Sequence, residues 1–271
     1  MQGRVLIIAG SDSGGGAGIQ ADIKAVTAMG AFAATAITAL TAQNTLGVHA
    51  VHPVPLDFIA RQIAVVMDDI GADVIKTGML GTAEVIAIIA DSLARHAAGV
   101  PVVLDPVMVA KGGARLLDPD ALSALKTRLL PMATIITPNL PEAEALCGMP
   151  IPDLAAMHVA AAALLCLGAP AVLLKGGHLP GNLVVDLLAT ADGIEAFSAE
   201  RIETRHTHGT GCTLASALAA GLAQGMGLSA AVRRARAYVR AAIAAAPGYG
   251  AGHGPLDHAV TLDPSRLERL A

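Results

Sequence analysis

An α/β fold with a mostly parallel sheet is predicted by two features of the chain. Short runs rich in Val, Ile and Leu alternate with longer Ala-rich stretches of helical pattern, and the short runs are apolar throughout. Strands read this way when helices cover both faces of the sheet. The composition agrees: 54% of the 271 residues are hydrophobic, 15% are charged and mean hydropathy is +0.60. Aromatics make up only 2%, with no Trp, so the core has to be built from Ala, Leu, Val and Ile.

Taken in order, the strand candidates are VLIIAG, ATAITAL, DVIKTG, PVVLDP, TIITPN and AVLLKG. Helix candidates between them are 17–29, 56–69, 82–97, 119–130 and 153–167. After residue 182 the pattern changes to LVVDLLAT and GIEAFSAE, joined by ADG, which reads as an antiparallel pair. Two Ala-rich helices follow, 210–224 and 229–245, and then a glycine-rich tail, PGYGAGHGPLDH. No linker, charge block or repeat divides the chain, so a single domain over 1–271 is expected.

Bulk properties narrow the function. A net charge of −4 and a pI near 6.1 argue against a nucleic-acid or membrane-surface binder. The longest apolar window, 214–232, carries Gln224, serines and glycines, and reads as a buried helix rather than a membrane span. Cys147, Cys166 and Cys212 have no paired spacing, which suits a reducing cytoplasm.

In open parallel sheets ligands bind beyond the carboxyl ends of the strands. Polar or glycine-rich residues stand there: Ser11 to Gly18, Gln43 and Asn44, Thr77 to Met79, Asp105 to Met108, Thr137 to Glu142, and Lys175 to His178. The first of these, SDSGGGAG, is neither a dinucleotide fingerprint nor a P-loop, because the glycine register is wrong and no G-K-[S/T] follows. Its glycines serve either a tight turn or a close approach of backbone to a ligand. HTHGTGC leads straight into a long helix, so Gly209, Thr210 and Gly211 leave amide hydrogens uncovered for an anion, unless they are only a helix start beside a packed thiol. A thiol so placed, Cys212, is expected to have a depressed pKa and to accept a proton. In TPNLPEAE, Asn139 and Glu142 can cap a helix or hold a hydrated Mg²⁺, and Asp105 is a further carboxylate at a strand end. Lys175 can meet a phosphate chain or form a salt bridge. His206 and His208 fall short of a zinc site.

The ordered set AGSDSGGGAGIQADIKA, TALTAQNT, LDPVM, ITPNLPEAE, LLKGGH, HTHGTGCTLASALAAGLAQG and GHGPLDH resembles the hydroxymethylpyrimidine/phosphomethylpyrimidine kinases of thiamine biosynthesis, in the ribokinase-like superfamily. The resemblance runs from about Val5 to His258. It implies a three-layer sandwich with a small flap, and two successive phosphorylations of 4-amino-5-hydroxymethyl-2-methylpyrimidine by ATP and Mg²⁺, with K⁺ as a candidate further ion. It also implies a homodimer.

By the same resemblance, Gln43 reads the pyrimidine edge, and Gly10, Ala17, Asp22, Met79 and Val107 belong to the substrate pocket. Gly209, Thr210, Gly211 and Cys212 form the anion hole and its base. Lys175, Asn139 and Thr207 meet the nucleotide, and Asp105 and Glu142 hold the metal. A lysine that many relatives carry in the last helix is replaced by the stretch holding Arg234 and Arg236, which keeps positive charge there. The short HLPGNLVVDLL connection implies a small lid. A pyridoxal kinase, alone or combined with the pyrimidine activity, is the nearest alternative. A non-enzymatic pyrimidine-binding domain is disfavoured by the presence of the whole motif set, and an NAD-dependent oxidoreductase by the glycine register.

Overall fold

A computed structural model describes residues 2–110, 113–114, 116–118, 120–262 and 265. One nine-stranded sheet runs through them, built from β1 (Arg4–Asp12), β2 (Phe32–Asn44), β3 (Gly47–Pro53), β4 (Val74–Thr77), β5 (Val102–Leu104), β6 (Ile135–Ile136), β7 (Ala171–Leu174), β8 (Leu183–Thr190) and β9 (Gly193–Glu200). Its order is β3-β2-β1-β4-β5-β6-β7-β8-β9. From β2 to β7 neighbours are parallel, and antiparallel strands close both edges. The chain leaves β1 toward β2 on one side and returns to β4 on the other, so the order reverses at β1.

The apolar runs explain the layering. Along β1, Val5, Ile7 and Ala9 face one layer, and Leu6 and Ile8 face the other. The first layer is α1 (Gly18–Ala28), α7 (Thr210–Ala223) and α8 (Leu228–Ala244). The second holds α2 (Leu56–Asp69), α3 (Ala83–His96), α4 (Ala121–Ala124), α5 (Leu140–Cys147) and α6 (Leu154–Leu165). Alanine-rich faces permit close approach: a methyl group on Gly221 of α7 would lie 3.0 Å from the Ala231 Cβ of α8.

Several expectations change in detail. The helix expected at 119–130 is a short α4 that widens into a π-turn at Leu125–Leu129 and tightens into a 3-10 turn at Leu130–Met132, where Pro131 ends it; residue 119 lies outside the described residues. Strand β3 was not expected, because most of its residues are exposed and its sequence GVHAVHP has no apolar face to read. The apolar window 214–232 spans the two helices expected at 210–224 and 229–245, which part where Gly225 takes a positive φ of 80°. Among the described residues no helix is long and apolar enough to cross a membrane. The segment expected as a small lid, 176–182, is tied down by Arg201, whose guanidinium donates to the carbonyls of Gly177, Leu179 and Gly181.

Candidate active site

The carboxyl ends of β1, β2, β4, β5 and β7 converge on the start of α7. Its N-terminus has no side-chain cap: Gly209 precedes it with a φ of +81°, and the first-turn amides of Gly211 and Cys212 come before any in-helix acceptor. Lys175, just past β7, points its Nζ to within 3.3 Å of where a Gly211 Cβ would stand. A bare glycine there leaves the amides and the ammonium facing the same space. Thr207 closes the turn below, its carbonyl accepting from the Thr210 hydroxyl at 2.8 Å.

Two carboxylates stand beside this lysine. Asp105 Oδ1 accepts from Lys175 Nζ and from the Thr137 hydroxyl, both at 3.0 Å. Asn139 and Glu142 form a reciprocal capping box at the start of α5: the Glu142 amide donates to Asn139 Oδ1 at 3.0 Å and the Asn139 amide donates to Glu142 Oε2 at 2.8 Å. Glu142 is only 5% exposed, and its burial, opposed by Lys175 and reinforced by Asp105, pushes the carboxyl up to about 7. The Lys175 ammonium loses to burial but gains more from Asp105 and Glu142, so it stays protonated. Asp105 is paired with Lys175 and Glu142 stands beside them, and the donors that the two carboxyls offer are hard oxygens. That set suits Mg²⁺, which takes one or two carboxylates and keeps several waters.

Cys212 differs from expectation. Burial pushes its thiol up to about 12; Lys76 works against this, but Asp22 and Asp105 add to it, and the amide of Gly18 helps only a little. The helix start does not make a thiolate here because desolvation outweighs it. Asp22 lies beneath the sulfur rather than on a pocket rim. It is fully buried, takes Lys76 Nζ on both oxygens at 2.8 and 2.9 Å, and accepts from the Ser216 hydroxyl at 2.6 Å. Arg234 and Arg236 also sit away from the anion space: Arg236 pairs with Asp186 of β8, and Arg234 donates to Gln224 at the end of α7.

The glycine-rich turn after β1 is organised from within. The Asp12 carboxylate accepts from the amides of Gly14, Gly16 and Ala17 at 2.8, 3.2 and 2.8 Å, so the N–H groups that a phosphate cradle would offer are already used. Burial favours the neutral acid at Asp12, but His208 and the Ala17 and Gly14 amides together hold it below the usual carboxylate range. The glycines permit a close crossing: a Cβ on Gly16 would lie 2.5 Å from the His208 ring, and one on Gly209 would strike the Gly16 carbonyl. In the sequence His208 stands only as half of an incomplete zinc pair. Its bond to Asp12 at 2.9 Å and its 3.3 Å contact with Gln43 make it part of the site wall. The one signal available was its position, directly before Gly209.

Gln43, at the end of β2, has its backbone fixed by Ser13, whose hydroxyl donates to the Gln43 carbonyl and accepts from its amide, both at 2.8 Å. Met79 brings its sulfur against Gly10, where a Cβ would lie 3.1 Å away. Ala17 stands at the start of α1 without a capping side chain, and Val107 shares a small cleft with Gly78 and Asp105.

Known proteins share this architecture. The chain is 52% identical over 265 residues to the thiamine biosynthesis bifunctional protein ThiED of Geobacter sulfurreducens, covering 98% of this chain but only 54% of that protein. It is 51% identical to a hydroxymethylpyrimidine/phosphomethylpyrimidine kinase of Haemophilus influenzae, covering 94% of this chain and 96% of the relative. The crystal structure of an ADP complex of Bacillus subtilis pyridoxal kinase superposes with a TM-score of 0.89 at 38% identity, covering 97% of this chain and all of that one. The fold is therefore ribokinase-like. A family profile described as phosphomethylpyrimidine kinase matches residues 12–257. The chain belongs to the phosphomethylpyrimidine kinase family.

Proposed function

We propose that this protein, acting as one kinase domain, phosphorylates 4-amino-5-hydroxymethyl-2-methylpyrimidine with ATP, first to the monophosphate and then to the diphosphate. The observation that carries this reading is the uncapped start of α7 with Lys175 Nζ beside Gly211. Phosphoryl transfer needs little covalent help from a protein; it needs positioning and positive potential where charge spreads over the transferring group. The amides of Gly211 and Cys212 and the Lys175 ammonium supply that potential. Asp105 and Glu142, with Asn139 holding Glu142 in place, would bind Mg²⁺, which when present neutralises phosphate charge.

Cys212 keeps its proton at neutral pH, so its sulfur serves to orient the acceptor hydroxyl. The proton of that alcohol leaves late in a loose transition state and passes to an oxygen of the transferred phosphoryl group or to water, which lets the first step run without a preformed thiolate. For the second step the acceptor is already an anion. Cys212→Ala should therefore slow the first phosphorylation by about 100-fold, the cost of a misplaced acceptor, and the second by less than about tenfold, in single-turnover assays of each step. Equal losses would remove the assignment. An orienting thiol also predicts a first-step rate that does not climb tenfold per pH unit between pH 7 and 9.

Incubation of the pyrimidine alcohol with Mg·ATP, followed by mass analysis, tests the whole reading: products carrying one and then two added phosphoryl groups are expected. An untouched pyrimidine together with a phosphorylated pyridoxal would favour the second reading, a pyridoxal kinase, which the likeness to the Bacillus subtilis structure keeps in view. Free thiols at Cys147, Cys166 and Cys212 support a cytoplasmic setting. A homodimer is supported by exposed Leu40 at the β2–β3 edge and exposed Leu56, Phe58 and Val65 on α2 beside it.

A further inference from the structure

The contacts around Gln43 fix which way its amide faces. Asp12 is an ionised carboxylate and can only accept, so His208 Nε2, 2.9 Å from Asp12 Oδ2, has to carry its hydrogen. That same nitrogen lies 3.3 Å from the Gln43 amide. With the amide nitrogen turned toward it, two N–H groups would face each other. At the other end of the amide the mismatch repeats. The Thr41 hydroxyl lies 3.2 Å from Gln43 but has given its one hydrogen to the Ser11 carbonyl at 2.8 Å, so it too can only accept there.

A half-turn of the amide satisfies both ends at once. Its oxygen then accepts from His208 Nε2–H, shared with Asp12, and its nitrogen donates to Thr41 Oγ1. One lone pair on Oε1 and one hydrogen on Nε2 remain for a ligand, in a fixed order, because Ser13 holds the Gln43 backbone still.

We propose that His208 is a positioning residue for substrate selection: its Nε2–H sets the Gln43 amide so that the site presents an acceptor on the His208 side and a donor on the Thr41 side. An aminopyrimidine edge is the complement of that pair, its exocyclic amino group donating and its adjacent ring nitrogen accepting. The amino group is thereby assigned to the His208 side. This deepens the functional reading above and rests on it for the identity of the ligand.

Three measurements test it. In protein labelled with ¹⁵N at histidine, the unliganded wild type should show His208 protonated at Nε2, whatever alcohol the enzyme phosphorylates; a bare Nε2 would overturn the proposal and leave the functional reading standing. His208→Met should raise KM for the aminopyrimidine alcohol by about 10- to 100-fold while kcat moves less than about threefold, since the cost is a mispaired polar contact in binding. An analogue with hydrogen in place of the amino group should lose several-fold less, because only its ring nitrogen still needs the ordered amide. His208→Gln, which can place an amide N–H near the same point, should restore most of the lost discrimination. If both compounds lose equally in His208→Met, or if His208→Gln is no better, the histidine only supports the fold. Failure of the wild type to phosphorylate the aminopyrimidine at all would instead refute the functional reading, with the nitrogen spectrum still deciding the Gln43 orientation.

Discussion

His258 is buried, shares a 2.9 Å hydrogen bond between its Nε2 and the Thr213 hydroxyl, and accepts from the Tyr238 hydroxyl on its carbonyl. Burial, with the charge of Lys24 adding to it, pushes the imidazole down to about 4. Between pH 6.5 and 4 the unfolded chain binds a proton that the folded chain refuses, so this residue's contribution is complete above pH 6.5 and is lost as pH falls through 4. The loss amounts to about 3 kcal/mol. Urea unfolding of wild type and His258→Gln at pH 7 and pH 5 should find the gap between them narrower at pH 5; a constant gap would mean the imidazole titrates normally. At this scale the sequence was read unevenly. Asn139 and Glu142 were legible, because a capping box is a local pattern. The thiol of Cys212 is not legible, because its burial, with Asp22 and Asp105 adding to it, comes from segments far along the chain. His208 was missed for the same reason: its partners Asp12 and Gln43 lie 196 and 165 residues away.

Elements are tied together beneath the site by one polar cluster. Lys76 on β4, Asp22 on α1 and Ser216 on α7 are fully buried and satisfy one another. Removing one charge strands the other: Lys76→Met should destabilise the protein by about 3–5 kcal/mol, whereas Lys76→Met with Asp22→Leu should recover much of that loss, as read by urea unfolding. A double variant as unstable as the single one would mean that the pair's shape, rather than its charge, holds the layers. Strands buried on both faces and amphipathic helices were legible in order and nearly in extent, since burial writes an apolar run into the sequence. Where burial was partial, the signal failed. Strand β3 is one case. The π-turn at Leu125–Leu129 is hidden for a different reason: its buried leucines keep a helical apolar pattern although the backbone widens.

For the whole molecule, the exposed apolar residues at the β2–β3 edge and on α2 bear on assembly. Phe58→Glu with Val65→Glu should convert a dimer to a monomer on light scattering and leave the far-UV circular dichroism unchanged, because both side chains are exposed on the single chain. A wild type that is monomeric at every concentration would end the dimer reading. The crossing of distant segments at the site has a consequence for how the protein is made. The Gly254 carbonyl accepts from the His208 amide, and His253 and Gly252 donate to Thr45 beside Gln43. His258 reaches back to Thr213 in the first turn of α7. In a growing chain β1 and its glycine turn are made early and can close on Asp12, yet their contact with His208 waits for a segment made some two hundred residues later. A ribosome stalled before residue 252 would therefore display β1 and its glycine turn without the contacts that Gly252, His253 and Gly254 make with Thr45 and His208.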